Sequence, residues 1–300
     1  MSQIKRIMIP LDGSSLSELS LKPAAVLAKA TGAVLLLLHV QEPYVIIVDE
    51  ELNSQVAELK DEKARAYLNL VAQKEELVGV EREVLTVKGP VAESIIDSVT
   101  EYDVDLVMMS SHGRSGFGRW VYGSIAEKVL RHAPCGTIIL QAKADVPMFS
   151  HKQILVTLDG SALSERVLPL AQNIAQAIRA ELILLRVTGL TQLIIDSVDP
   201  LVMKQDLDQL EAREQIEAKE YLQHVQQQLA ASGLTVKIEV SGGPVAETIL
   251  AYAEEHDVDL IAMSSHGRSG VGRWFYGSVA EKVLRGTHSG MLITRGENKK

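Results

Sequence analysis

Two stretches of this chain combine glycine, arginine and hydroxyl side chains in a pattern suited to holding an anion. Between Gly113 and the pair Gly123-Ser124 lie nine residues, among them Arg114, Gly116, Gly118 and Arg119. Small residues let backbone approach an anion, a helix opening at Gly123-Ser124 offers N–H groups without intrahelical partners, and arginine supplies counter-charge. The chemistry that fits is a polyphosphate cradle. The spacing Gly118-x-x-x-x-Gly123-Ser124 imitates a P-loop, but the required lysine is missing, which excludes that class. For a single copy, a tight glycine turn without ligand is the plain alternative.

The pattern is not a single copy. Residues 101–131 and 255–285 are identical at 25 of 31 positions, so Gly113, Gly123 and Ser124 return as Gly267, Gly277 and Ser278. Gly-Pro-Val-Ala-Glu at 89–93 recurs at 243–247 with the same offset of 154, whereas Leu-Asp-Gly-Ser at 11–14 recurs at 158–161 with an offset of 147. The second copy therefore carries seven extra residues between its second strand and the Gly-Pro block. The chain reads as two tandem domains, 1–145 and 150–297, joined by a linker near Ala142 to Ser150.

Other repeated residues admit simpler readings. Imidazole in general titrates in the range of acid/base groups, yet no strained nucleophile or Ser-His-Asp order accompanies His112 and His266. Asp103 and Asp105, with Asp257 and Asp259, lie before the fourth strand of each half, at the edge opposite the presumed site, and read as turn and cap residues. Trp120 and Trp274 read as packing anchors more readily than as base-stacking platforms.

The elements that must position these residues alternate. In the first half, Ile4 to Ile9 is a short buried run, followed by Asp-Gly-Ser and an amphipathic stretch that Ser15-x-x-Glu18 opens as a capping box. Pro23, and Pro169 in the second half, fall inside this stretch, so a kink or frayed first turn is expected. Ala33 to Val40 and Glu181 to Val187 are apolar on both faces, as central parallel strands are. A long polar helix over Ser54 to Leu77, or Gln205 to Ala231, precedes a third strand at Glu83 to Val87, or Val236 to Val240. A third helix opens at each Gly-Pro block. Leu106 to Met109 delivers the chain into Ser110-Ser111-His112-Gly113, and Thr137 to Leu140 ends the domain. The fold class is α/β: two tandem doubly wound domains, each a five-stranded parallel sheet with helices on both faces. Ligands of such sheets bind at the carboxyl ends of the strands, where Asp12/Asp159, Val40/Val187 and both glycine loops fall. The apolar runs Tyr44 to Val48, Leu193 to Ile195 and Leu201 to Met203 follow the second strands, and read as a flap, a contact surface or a satellite core.

Composition narrows the partners. Hydrophobic residues at 46% and charged residues at 23% describe a packing globular chain. The only cysteine is Cys135, so no internal disulfide can form, and a cytoplasmic location is expected. No apolar run approaches the roughly 20 residues of a membrane span, and the start lacks the pattern of a signal peptide. Residues 1–148 carry 15 basic against 20 acidic residues and 149–300 carry 15 against 19, while aromatics are only 4%, so neither half offers a nucleic-acid surface.

The chain resembles the universal stress protein family, with two UspA-like domains fused head to tail. The residues that carry the resemblance are Ile-Met-Ile-Pro-Leu-Asp-Gly-Ser at 7–14, Leu-Leu-Leu-His-Val at 36–40, and the family's Gly-x-x-Gly, nine residues, Gly-Ser pattern. Here the pattern reads Ser110-Ser111-His112-Gly113 to Gly123-Ser124, and Ser264-Ser265-His266-Gly267 to Gly277-Ser278. Ser110 and Ser264 replace its first glycine, a departure tolerated where backbone φ is negative.

The resemblance implies a Rossmann-like, adenine-nucleotide alpha hydrolase-like fold and ATP, with ADP or AMP as alternatives, at the strand ends. Val40 and Val187 would meet adenine through backbone atoms, and Asp12 and Asp159 would face ribose and phosphate or a Mg2+ ion. Gly113, Gly123 and Ser124, with Gly267, Gly277 and Ser278, would cradle phosphate. The implied lining extends to Pro10, Met109, Ser110, Arg114 and Gly116, and to Met263, Ser264, Arg268 and Gly270. Thr157 in place of Pro10 and Arg186 in place of His39 make the second site the more divergent. Family domains pair through the fifth strand, so Thr137 to Leu140 is expected to pair with Met291 to Thr294, with a homodimer as a further assembly.

The function expected is a nucleotide-dependent regulatory or stress-response protein acting through an unknown protein partner. A slow ATPase or a phosphoryl or adenylyl transferase is the alternative, disfavoured by the lack of an evident general base or paired metal carboxylates. A nucleotide-free interaction scaffold is the third reading.

Overall fold

A computed structural model describes residues 3–42, 50–111, 123–141, 148–188, 204–265 and 277–295. The chain divides into two compact units, Met1–Pro147 and Met148–Lys300. The described residues hold no helix long and apolar enough to cross a membrane.

The first unit runs β1 (Arg6–Pro10), α1 (Ser15–Glu18), α2 (Leu21–Thr31), β2 (Val34–Gln41), α3 (Glu50–Ala72), a 3-10 turn (Glu75–Leu77), β3 (Arg82–Lys88), α4 (Val91–Glu101), β4 (Leu106–Ser110), α5 (Ser124–His132) and β5 (Gly136–Leu140). Its strands are parallel in the order β3-β2-β1-β4-β5. The second unit repeats the plan with β6 (Gln153–Thr157), a 3-10 turn (Ser164–Val167), α6 (Leu168–Ile178), β7 (Glu181–Thr188), α7 (Lys204–Ala230), β8 (Val236–Gly242), α8 (Val245–Glu255), β9 (Leu260–Ser264), α9 (Ser278–Gly286) and β10 (Gly290–Thr294). Its order is β8-β7-β6-β9-β10, also parallel. Both units are thus doubly wound α/β folds, as the alternation of strands and helices predicts.

Burial explains the apolar runs. Leu35 to Leu38 on β2 and all of β4 and β5 are buried, which requires helices on both faces of the sheet. β3 lies at the edge and exposes Glu83 and Val84. The strand order reverses beside β1, so right-handed crossovers send α2 and α3 to one face and α4 and α5 to the other. At the amino edge, the Asp105 carboxylate accepts the N–H groups of Lys5 and Arg6 at 2.7 and 3.0 Å, pinning the start of β1 to β4. Asp259 accepts those of His151 and Gln153 at 3.3 and 3.1 Å in the same way. Asp103 and Asp257 take left-handed turns at φ 48° and 49°. The repeated aspartates before the fourth strands therefore have a structural task.

The expected single kinked helix is two segments. Leu19 and Ser20 donate to the carbonyls three residues back, at 3.2 and 3.4 Å, and α2 restarts at Leu21. Pro23 has no N–H to give the Leu19 carbonyl, so a continuous helix would lose that bond and meet the proline ring. Pro169 acts likewise in the first turn of α6, where a 3-10 turn precedes it.

The two units end this helix differently. Gly32 closes α2 at φ 75°, whereas Arg179 closes α6 at φ 56°. A left-handed residue with a Cβ costs about 1 kcal/mol, partly offset by its lower freedom when unfolded. Arg179→Gly should therefore raise stability by about 0.5 kcal/mol, read as a higher urea midpoint; a lowered midpoint would contradict the assignment of strain. Between α5 and β5, burial pushes the Cys135 thiol up to about 12. The native protein at pH 8 should thus react with a thiol reagent roughly a thousandfold more slowly than the unfolded chain, and equal rates would show the thiol to be accessible.

Candidate functional site

A cleft of about 720 Å³ opens at the carboxyl ends of β1 and β4, where the strand order reverses. Its first wall is the turn leaving β1. The Leu11 N–H donates to the Leu38 carbonyl at 2.7 Å, which carries the ladder one residue past Pro10. Gly13 then turns at φ 86°, and Asp12 Oδ1 accepts from the Ser14 N–H at 2.9 Å and the Ser14 hydroxyl at 2.6 Å. Ser14 caps α1 by accepting the Ser17 N–H at 3.2 Å. The expected Ser15-to-Glu18 capping box is thus corrected by one residue. Asp12 holds Ser14 at the helix entry, and Glu18 is drawn away to accept from Tyr67 and to pair with Lys74.

The end of β2 forms the next wall. His39 Nδ1 donates to the Leu11 carbonyl at 2.7 Å, which places a proton on that nitrogen and ties β2 to the β1 turn. Val40 follows, half-buried, and both residues line the cleft. From β4 come Met109, Ser110 and Ser111, all buried. Ser110 lies within the strand and outside the left-handed region, so serine in place of glycine is not strained there.

The chain leaves this edge at Ser111 and re-enters at Gly123. The Gly123 N–H donates to the Ser111 carbonyl at 3.1 Å, and the Ser111 N–H to the Leu140 carbonyl at 2.9 Å. Among the described residues no side chain caps α5, whose bond from the Glu127 N–H runs to the Gly123 carbonyl. Ser124, Ile125 and Ala126 line the cleft in that first turn, where the helix carries partial positive charge. Gly123 has φ −57°, and a Cβ there would meet only the Ser111 carbonyl at 3.6 Å. Among the described residues, nothing in the backbone demands glycine; its absent side chain keeps the helix start open.

Sequence reasoning misses the last wall. On α3, Lys60, Lys63, Ala64 and Tyr67 face the cleft. Tyr67 donates to Glu18 at 2.9 Å and stands edge-on to His39 at 6.0 Å. Burial first, and then the Glu18 carboxylate, push its hydroxyl well above the usual phenol range, so it remains a donor. The available signal was Tyr221, which keeps the 154 offset in a helix whose exposed residues diverge.

The structure thus gathers Pro10, Asp12, Val40, Met109, Ser110, Gly123 and Ser124 around one cleft. In the second unit, Asp159 Oδ1 accepts from the Ser161 N–H at 2.8 Å, Gly277 N–H donates to Ser265 at 2.9 Å, and Tyr221 donates to Glu165 at 2.9 Å. Val187 is the penultimate residue of β7, Met263 and Ser264 end β9, and Gly277 precedes Ser278 at the start of α9. Ser264, like Ser110, is in the strand and outside the left-handed region. Arg186 lies 5.2 Å over the Tyr221 ring, where the first unit has His39. Gly113, Arg114, Gly116, Gly267, Arg268 and Gly270 lie outside the described residues. So do His112, His266, both tryptophans, and the apolar runs at 44–48, 193–195 and 201–203.

The aspartates offer limited metal chemistry. One oxygen of Asp12 is occupied by Ser14, and the described residues contain no group of three acidic, histidine or cysteine side chains placed to hold a metal. A Mg2+ ion at Asp12 or Asp159 would take most of its octahedron from phosphate and water.

Comparison with known proteins agrees with this architecture. The family model for the universal stress protein family matches twice, over residues 3–141 and 150–295. A universal stress protein of Methanocaldococcus jannaschii is 30% identical over 139 residues, spanning 46% of this chain and 82% of that protein. One from Mycobacterium tuberculosis is 23% identical over 240 residues, 79% of this chain and 78% of its own length. The crystal structure of a universal stress protein from Archaeoglobus fulgidus superposes with a TM-score of 0.73 at 23% identity, covering 98% of this chain and 99% of that one, a likeness of fold. With a family match over nearly all of both units, the chain belongs to the universal stress protein family as a tandem of two Usp domains.

Proposed function

We propose that this chain is a regulatory protein that binds ATP at the carboxyl ends of its strands and reports occupancy through a partner interaction. The observation that carries the reading is the convergence, in one cleft, of the Asp12 turn, the end of β2 and the glycine-led start of α5. The volume of about 720 Å³ is that of a small-molecule site. The end of β2 at Val40 suits adenine, Asp12 suits the ribose, and the start of α5 with Lys60 and Lys63 suits phosphate. The glycine loops at 113–116 and 267–270 complete the cradle in this reading.

A regulatory role needs only linkage. A ligand held at a hundred times its dissociation constant stabilises the bound state by about 2.7 kcal/mol, enough to bias one conformation or assembly without turnover. The cleft groups fit holding better than chemistry: His39 has Nδ1 tied to Leu11, and Asp12 has an oxygen tied to Ser14.

Gly123→Val combined with Gly277→Val should abolish ATP binding by filling the space at the helix starts. Because φ is −57° and −58° and the nearest described backbone is 3.6 and 3.8 Å from the added carbon, the apo protein should still melt cooperatively, losing on the order of 1 kcal/mol at each helix start because valine is a poorer N-cap than glycine. Calorimetric titration beside thermal melts measures both. Unchanged affinity in a folded double variant would contradict the assignment of the helix starts to phosphate.

A further inference from the structure

The two units share a scaffold but differ in the charge of the helix beside the cleft. On α3, Lys60 and Lys63 line it. The register between α3 and α7 is fixed by their buried faces, where Ala64, Leu68 and Val71 correspond to Ala218, Leu222 and Val225, all buried. Tyr67 and Tyr221 confirm that register, each donating at 2.9 Å to the equivalent carboxylate, Glu18 or Glu165. In it, Lys60 corresponds to Glu214 and Lys63 to Glu217. Glu214 is half-buried and Glu217 exposed. Two cations beside the first cleft are thus two anions at the same places in the second unit.

Other differences offset part of this change. Glu42 lines the first cleft, where the second chain segment has Gly189, and His39 is replaced by Arg186. Counted by formal charge, with His39 neutral, these two exchanges return two of the four charges that the paired changes remove from the cleft wall. The rest of the helix stretch, 57–67 against 211–221, returns two more away from the wall, so the deficit is confined to the wall positions themselves. Arg186 is also drawn over the Tyr221 ring. The turn aspartates Asp12 and Asp159 are common to both.

We infer that the residue pairs 60/63 and 214/217 set the charge of the ligand. The first unit takes the polyphosphate nucleotide, and the second selects against it in favour of an adenine ligand with little phosphate charge. Coulomb interaction weakens with distance and is screened over about 8 Å at physiological salt, so lysines or glutamates on the cleft wall itself act on a polyphosphate more strongly than charges elsewhere on the helix, and discriminate between ATP and adenosine. This inference rests on the nucleotide reading of the first cleft and of the equivalent strand ends in the second unit.

The test uses the full chain with ATP and adenosine as probes, by equilibrium dialysis at low and physiological salt. The native protein should bind one ATP tightly. Lys60→Glu with Lys63→Glu should weaken that ATP roughly tenfold or more, with adenosine affinity little changed and the effect smaller at high salt. Glu214→Lys with Glu217→Lys should add a second ATP of comparable affinity while melting as the native protein does. Two indistinguishable ATP sites in the native chain, or swaps that alter neither stoichiometry nor affinity, would overturn the charge assignment and leave nucleotide binding standing. No ATP bound by any of these proteins would overturn both.

Discussion

A parallel sheet whose order reverses at its middle strand cannot close over its own carboxyl edge. Right-handed crossovers carry the chain leaving β1 to one face and the chain leaving β4 to the other, so the two exits diverge and a crevice remains between them. Everything placed around the cleft answers to that divergence. The Asp12–Ser14 clamp shapes one exit, the Ser111–Gly123 hydrogen bond closes the base of the other, and His39 ties β2 back to Leu11. The start of α5 then faces the crevice because the chain re-enters at Gly123 beside β4.

The duplication acts as an internal comparison, and it cautions against equating repetition with ligand contact. Asp105 and Asp259 are repeated within the most similar stretch of the chain, yet both pin the entry of a first strand by accepting backbone N–H groups. Gly123 and Gly277 are repeated where the described backbone has no need of glycine. The second kind of repetition is the more informative, because among the described residues neither a left-handed backbone nor a close contact accounts for it. Positions that differ are equally telling: Gly32 against Arg179 changes only local strain, whereas Lys60 and Lys63 against Glu214 and Glu217 change the field at a cleft.

Much of the fold was legible from the residues. Apolar runs such as Leu35 to Leu38 can be buried only between two layers, and the Gly-Pro blocks announce the starts of α4 and α8. The break between α1 and α2 was half legible, since Pro23 marks it but does not say whether a helix kinks or stops. The capping residue is ambiguous in the sequence because Ser14 and Ser15 are both good caps, and the choice is made by Asp12, whose carboxylate reaches Ser14 only once Gly13 has turned. The strand-end members of the candidate site follow from the sheet rule. The α3 wall does not, because a polar helix of 23 residues gives no sign of which turn meets a cleft.

The most direct measurement is to denature the purified protein and identify and count the nucleotide it releases, beside a titration of the stripped chain with ATP. The account predicts intact ATP, close to one per chain. A protein that releases none and takes up none on titration would show that these domains carry the family's fold without binding ATP.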